Sequence, residues 1–164
     1  MKQNKEDVVS KLLIDNYEKY YRMAYSYVQN QSDAQDIVQE GAYKAIFNCE
    51  KLRELKYADT WICRIMINES MGFLKKRKIN SQEFTEEKFG SDNEELIFQE
   101  QYDNLEVKEA INKLSDKEKT VIILRYFEDM SLEQVAQASG ENLSTVKSRI
   151  YRALGKLKIN LSEI

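Results

Sequence analysis

Histidine is absent from this 164-residue chain, and so is proline. Without an imidazole there is no Ser-His or Cys-His nucleophile pair and no imidazole acid–base chemistry, and most kinds of zinc site are removed. Cysteine occurs only as Cys49 and Cys63. That separation lacks the CxxC spacing of redox and metal motifs, so both are expected as reduced, partly buried thiols. Glycine occurs five times, in neither a GxxxxGK[ST] nor a GxGxxG phosphate loop. A chain this poor in turn formers points to helices rather than strands. No apolar run approaches the ~20 residues of a bilayer span. The charged start, residues 1–7, also lacks the apolar core of a signal peptide, so the chain is expected in the cytoplasm. No enzyme activity, cofactor or metal is expected.

What is present is enough for a folded core: 42% hydrophobic residues against 32% charged, too apolar for a disordered chain. The net charge of −3 hides an uneven distribution. Residues 1–80 carry 14 basic and 11 acidic side chains, residues 81–110 carry 2 and 10, and residues 111–164 carry 9 and 7. A strongly acidic segment, interrupted by Gly90, Ser91, Asp92 and Asn93, therefore separates two mildly basic blocks. Like charges with breakers read as a linker. The expectation is an all-α protein of two small helical domains, residues 8–80 and 105–164, joined by an acidic linker at 81–104.

The C-terminal block reads as a helix-turn-helix. Ser115 and Glu118 have capping-box spacing, and a buried helix with Val121, Ile122, Leu124, Arg125 and Tyr126 is expected to follow. Ser131 caps a short helix over 132–139, Gly140 ends it with a positive φ, and Asn142 caps a third helix. In that helix Leu143, Val146, Ile150, Ala153, Leu154 and Leu157 fall within about 100° of the helical wheel. Thr145, Ser148, Arg149, Arg152 and Lys156 lie opposite, with Lys147 and Tyr151 at the edges and Ser144 in the first turn. A short helix, a tight turn and a one-sided basic helix suit the DNA major groove, where Arg and Lys reach guanine edges and hydroxyls reach bases or phosphates.

Two segments of the N-terminal block bear on function. The first is a helix opening on the capping-box spacing of Ser32 and Gln35 and running to about Phe47. It gathers Ala34, Ile37, Val38, Gly41, Ala42 and Ala45 on one side and Asp33, Asp36, Glu40 and Tyr43 on the other, with Gln39 nearby. By itself an acidic face is only a solvated face. The second, residues 60–78, is apolar nearly all round except for a narrow stripe of Arg64, Asn68, Gly72 and Lys75, and it finishes in Lys75, Lys76, Arg77 and Lys78. Gly72 keeps the stripe low enough for a nucleic-acid backbone to approach. The basic end suits phosphates, or equally the negative end of a helix dipole.

In this order the segments resemble a bacterial sigma factor of the sigma-70 family, of the small extracytoplasmic-function (ECF) type. Asp33-Ala-Gln-Asp-Ile-Val-Gln-Glu40 looks like the family's region 2.2, and Trp61-Ile-Cys-Arg-Ile-Met-Ile-Asn68 looks like its W-L-x-R-I-x-x-N motif. Leu114-Ser-Asp-Lys-Glu118, Leu124-Arg-Tyr126 and Thr145-Val-Lys-Ser-Arg149 with Arg152-Ala153 look like regions 4.1 and 4.2. The resemblance implies binding to core RNA polymerase through Asp33, Asp36, Gln39 and Glu40. It implies a melted minus-10 element held by Arg53, Arg64, Asn68, Lys75, Lys76, Arg77 and Lys78, with loop 50–57 receiving a flipped base. It implies a duplex minus-35 element read by Ser144, Thr145, Lys147, Ser148, Arg149, Arg152 and Lys156. The linker would run near the polymerase's RNA exit path, and a cognate anti-sigma factor, often membrane-anchored, would hold the factor silent. Two features depart from the pattern: Glu141 stands where a branched apolar residue is usual, and loop 50–57 carries Arg53 and Lys56 with little Gly or Ser.

Two other readings stay open on the residues alone. A stand-alone helix-turn-helix regulator would bind duplex without polymerase, but has no reason to carry the acidic 33–40 face beside the basic 60–78 helix. A helical adaptor for acidic partners would show no steep salt dependence on DNA.

Overall fold

A computed structural model describes residues 4–81 and 105–162. Among them every regular element is helical, and the chain divides into two compact units, Met1–Glu94 and Glu95–Ile164. The acidic segment 81–104, apart from Ser81, lies outside the described residues.

The first unit holds α1 (Lys5–Asp15), α2 (Tyr17–Val28), α3 (Gln31–Phe47) and α4 (Ala58–Ser81). Asn4 caps α1 by accepting from the Glu6 amide at 2.9 Å. Helix α2 ends at Gln29, whose φ of 53° turns the chain sharply. The very next residue, Asn30, caps α3 by accepting from the Asp33 amide at 2.9 Å. The capping box expected at Ser32 is therefore corrected. Asn30 satisfies the orphan amide two residues earlier, and Ser32 lies inside the first turn.

Helices α2, α3 and α4 pack on one another, and α1 lies against α3 and α4. The expected inner face of α3 is buried at Ala34, Ile37, Val38, Gly41 and Ala45. Helix α4 buries Ile62, Cys63, Met66, Ile67 and Ser70 in the core of this unit. At Gly41 the two helices come so close that a Cβ would overlap Met66 Sδ. Asp59, in the first turn of α4, accepts from Lys19 Nζ at 2.6 Å and from Tyr20 Oη at 2.7 Å, tying α2 to the start of α4. Burial, reinforced by Asp59, pushes the Tyr20 hydroxyl far above its ordinary range, so it stays a neutral donor. Cys49 and Cys63 are buried thiols that are not joined in a disulfide.

The second unit holds α5 (Leu105–Asn112), α6 (Asp116–Ile122), α7 (Leu132–Ser139) and α8 (Leu143–Ser162). The Ser115–Glu118 capping box forms, with bonds of 3.2 and 3.1 Å. After α6 the chain winds through a π-helical turn, Ile123–Phe127, closed by the Glu128 amide on the Ile123 carbonyl at 3.0 Å. The extra residue in that turn shifts the helical phase. Tyr126 is consequently 51% exposed rather than buried with Val121, Ile122 and Leu124. Ser131 caps α7 in a second capping box with Gln134. Gly140 follows at φ 73°, and Asn142 caps α8 by accepting from the Thr145 amide at 2.8 Å. Helix α8 packs on α5, α6 and α7 through Val146, Ile150 and Ala153, with Leu157 set against Leu114 and Ile122. Leu154, expected on that inner face, is exposed.

Candidate nucleic-acid interface and docking face

On α3, residues spaced three and four apart form one outward stripe. Asp36, Gln39 and Glu40 are exposed, followed by Tyr43 at 63% and Phe47 at 74% exposure. The two rings stack at 5.9 Å between centroids. An acidic patch continued by a bare aromatic pair is a better docking surface than acid alone, because aromatic area carries much of the energy of protein interfaces. Phe47 was legible in principle: it continues the same stripe by four residues beyond Tyr43.

Asp33 is placed differently. Its carboxylate, on a side chain only 17% exposed, accepts from Arg77 Nη2 at 2.6 Å. Arg77 also donates from Nη1 to the Val28 carbonyl at 3.3 Å and stands over the Phe73 ring at 5.5 Å. The structure thus joins two residues that the family resemblance assigns to different partners, pinning the start of α3 to the end of α4. Arg77→Ala is expected to lower the stability of the first unit by about 1–3 kcal/mol, since it strands a half-buried charge-assisted pair. Lys76→Ala, on an exposed cation, is expected to leave it nearly unchanged; thermal unfolding of the two variants is the check.

The rest of the α4 stripe faces out: Arg64, Asn68, Gly72, Lys75, Lys76 and Lys78 are all exposed. Among the described residues, nothing beyond its chain neighbours and its own helix backbone stands within 4 Å of where a Cβ on Gly72 would lie. Packing therefore places no demand for glycine in mid-helix, where it costs about 1 kcal/mol against alanine. Loop 50–57 is built from two short 3-10 turns, Cys49–Lys51 and Leu55–Tyr57, anchored by buried Leu52. It exposes Arg53 and sets Lys56 Nζ 5.1 Å from the Tyr57 ring centroid.

On α8 the candidate residues separate into a face and a flank. Ser144, Lys147, Ser148 and Arg152 are exposed beside Tyr151, itself 81% exposed, and the last four line a shallow groove. Thr145 is half-buried at the cap. On the flank Arg149 Nη1 lies 3.2 Å from Glu141 Oε1, which also faces Lys117 Nζ at 3.8 Å. Lys156 Nζ lies 2.9 Å from Glu118 Oε1. Burial works to raise the Glu118 pKa, but hydrogen bonds from Lys156 and Ser115 outweigh it and hold the carboxyl below the usual range. Glu118 therefore stays ionised as both a cap and an anchor for α8.

Among the described residues no cluster of metal-ligating side chains is present, and no helix is long and apolar enough to cross a membrane.

Comparison with known proteins covers both units. Residues 12–79 match the family model of Sigma-70 region 2, and residues 104–157 match that of Sigma-70, region 4. The chain is 37% identical over 163 residues to the RNA polymerase sigma factor SigV of Bacillus subtilis, covering 99% of this chain and 96% of that one. It is 26% identical over 167 residues to the ECF RNA polymerase sigma factor SigW of the same organism, covering 93% and 88%. In fold it is similar to the sigma factor RpoE from Bartonella quintana, solved in complex with the anti-sigma factor NepR. That match has a TM-score of 0.72 and 22% identity over 93% of this chain and 96% of that one.

Proposed function

The chain belongs to the sigma-70 family of RNA polymerase sigma factors, as a member of the ECF type with regions 2 and 4, and from that premise we propose how its surfaces divide the work. It is an alternative sigma factor, which joins core RNA polymerase and directs initiation at particular promoters. The outward stripe of α3 docks on the polymerase, with Asp36, Gln39 and Glu40 supplying charge and Tyr43 and Phe47 supplying apolar area. Asp33 contributes mainly by fixing the start of that helix through Arg77.

Helix α4 and loop 50–57 handle the minus-10 element as single strand. Arg53, Arg64, Asn68, Lys75, Lys76 and Lys78 meet backbone, while Arg77 braces the helix that presents them. Extruding a base costs a few kcal/mol, which phosphate contacts and a receiving loop recover. Gly72 serves as the low point where the strand lies closest. Gly72→Ala is accordingly expected to stabilise the first unit by up to about 1 kcal/mol while weakening promoter opening, read as permanganate reactivity of unpaired thymines beside a melting curve.

Helix α8 reads the minus-35 element as duplex through Ser144, Thr145, Lys147, Ser148 and Arg152, with Arg149 and Lys156 on its flank. The family is one of transcription initiation factors, and we assign this chain no catalysis of its own. Its place of work is the cytoplasm with the polymerase. An anti-sigma factor, as in the complex of the Bartonella relative, would hold it inactive and could do so at the membrane.

One observation carries this reading over a stand-alone DNA-binding regulator. The first unit presents an exposed acid-and-aromatic stripe and an exposed basic stripe on different helices, and a regulator that needs only duplex DNA has use for neither. The test is size-exclusion chromatography with purified core polymerase. Co-elution of the chain with the core supports the reading, and separate elution with intact duplex binding supports the regulator.

A further inference from the structure

A carboxylate in the turn of a DNA-binding helix-turn-helix is unfavourable on charge alone, because it faces phosphates. Glu141 is such a residue: it follows Gly140, and its amide closes on the Ala136 carbonyl at 3.1 Å. Its carboxylate is spent on cations of its own unit. Arg149 Nη1 is 3.2 Å away on a side chain only 16% exposed, whereas Lys117, at 3.8 Å, is 63% exposed. Arg149 lies about 100° round the helix from Ser148, at the edge of the outward face. Lys147 and Arg152, which lie on or nearer that face, are exposed and enter no ion pair among the described residues.

We propose that Glu141 is a charge restraint on the recognition helix. By holding Arg149 in an intramolecular pair, it keeps that guanidinium out of the set that neutralises minus-35 phosphates. The inference rests on the reading of α8 as the minus-35 helix. Its consequence is a factor that draws less on sequence-independent attraction and depends more on base contacts, because phosphate neutralisation tightens binding to every sequence alike. Releasing one cation to a phosphate steepens the salt slope by about 0.9 and tightens binding about five- to tenfold near 0.1 M salt.

The test assembles the full chain and its Glu141→Gln variant with core polymerase. Each is titrated between about 50 and 200 mM salt on a promoter duplex that the wild-type holoenzyme has selected from a randomised pool. Glutamine keeps the shape and loses the charge. The expected result is binding about ten- to twentyfold tighter at the low end, with a slope steeper by about one. The gain should disappear in an Arg149→Met background, which keeps the aliphatic stem, and persist in a Lys117→Ala background. Unchanged or weaker binding by Glu141→Gln would overturn the proposal, since Glu141 would then be orienting Arg149 for use. A gain of equal size with Arg149→Met would also overturn it, by reducing Glu141 to a general field effect. Failure of the wild-type holoenzyme to enrich any sequence is a separate result, which removes the promoter reading itself and the inference with it.

Discussion

Replacing Asp36 and Glu40 together with lysine is expected to abolish stable assembly with core RNA polymerase. Both side chains are exposed on α3, flanking Gln39 and leading into the stacked Tyr43–Phe47 pair. Neither residue is part of the core, so the fold should change by no more than about 0.5 kcal/mol. At a docked interface the same change sets like charges against a surface selected for acid. Such juxtapositions cost several kcal/mol, so a loss of about 3 kcal/mol or more, over a hundredfold in Kd, is expected. Fluorescence anisotropy of the labelled chain titrated with core polymerase measures it, beside a melting curve for the variant. Wild-type affinity in the double variant would remove the α3 stripe from the docking surface.

Arg152→Ala is expected to weaken promoter binding by the holoenzyme by about 1–3 kcal/mol, the range for losing a bidentate base contact. Arg152 stands on the outward face in the groove shared with Lys147, Ser148 and Tyr151, and among the described residues it meets no competing carboxylate. Arg149→Met is expected to cost the promoter complex much less, since its guanidinium is already committed to Glu141. The contrast decides between two arginines that a helical wheel places on the same side. Competition binding against duplexes altered one base pair at a time in the minus-35 element reads both the loss and the position at which specificity relaxes. Equal losses for the two variants would show that the face-and-flank division is wrong.

The sequence made the helices legible because their signals are local. Ser115 with Glu118, Ser131, Gly140 and Asn142 each act within a few residues, and each does so in the structure. The inner face of α3 was equally readable, because burial follows a period that the chain itself displays. The cap of α3 was missed for a local reason: Asn30 and Ser32 are both good capping residues, and the sharp turn at Gln29 selects the first. The π-helical turn at Ile123–Phe127 has no comparable signal, so the outward swing of Tyr126 was hidden.

Ion pairs were the least visible part of the candidate sites. Periodicity shows which way Arg77, Arg149 and Lys156 point along their helices. It does not show which acid the fold sets opposite each of them. Asp33, Glu141 and Glu118 arrive there through tertiary packing, from 44, 8 and 38 residues away. The departure at Glu141 was noticeable as an oddity of sequence, but its role needed the geometry.

The most direct measurement is transcription from fragmented DNA of the source genome by core polymerase, with and without this chain, with sequencing of transcript 5′ ends. The account predicts a small set of new start sites that appear only with the chain, share minus-10 and minus-35 elements upstream, and vanish with the Asp36→Lys/Glu40→Lys variant. Identical start sites with and without the chain, under conditions where it still binds duplex DNA, would contradict it.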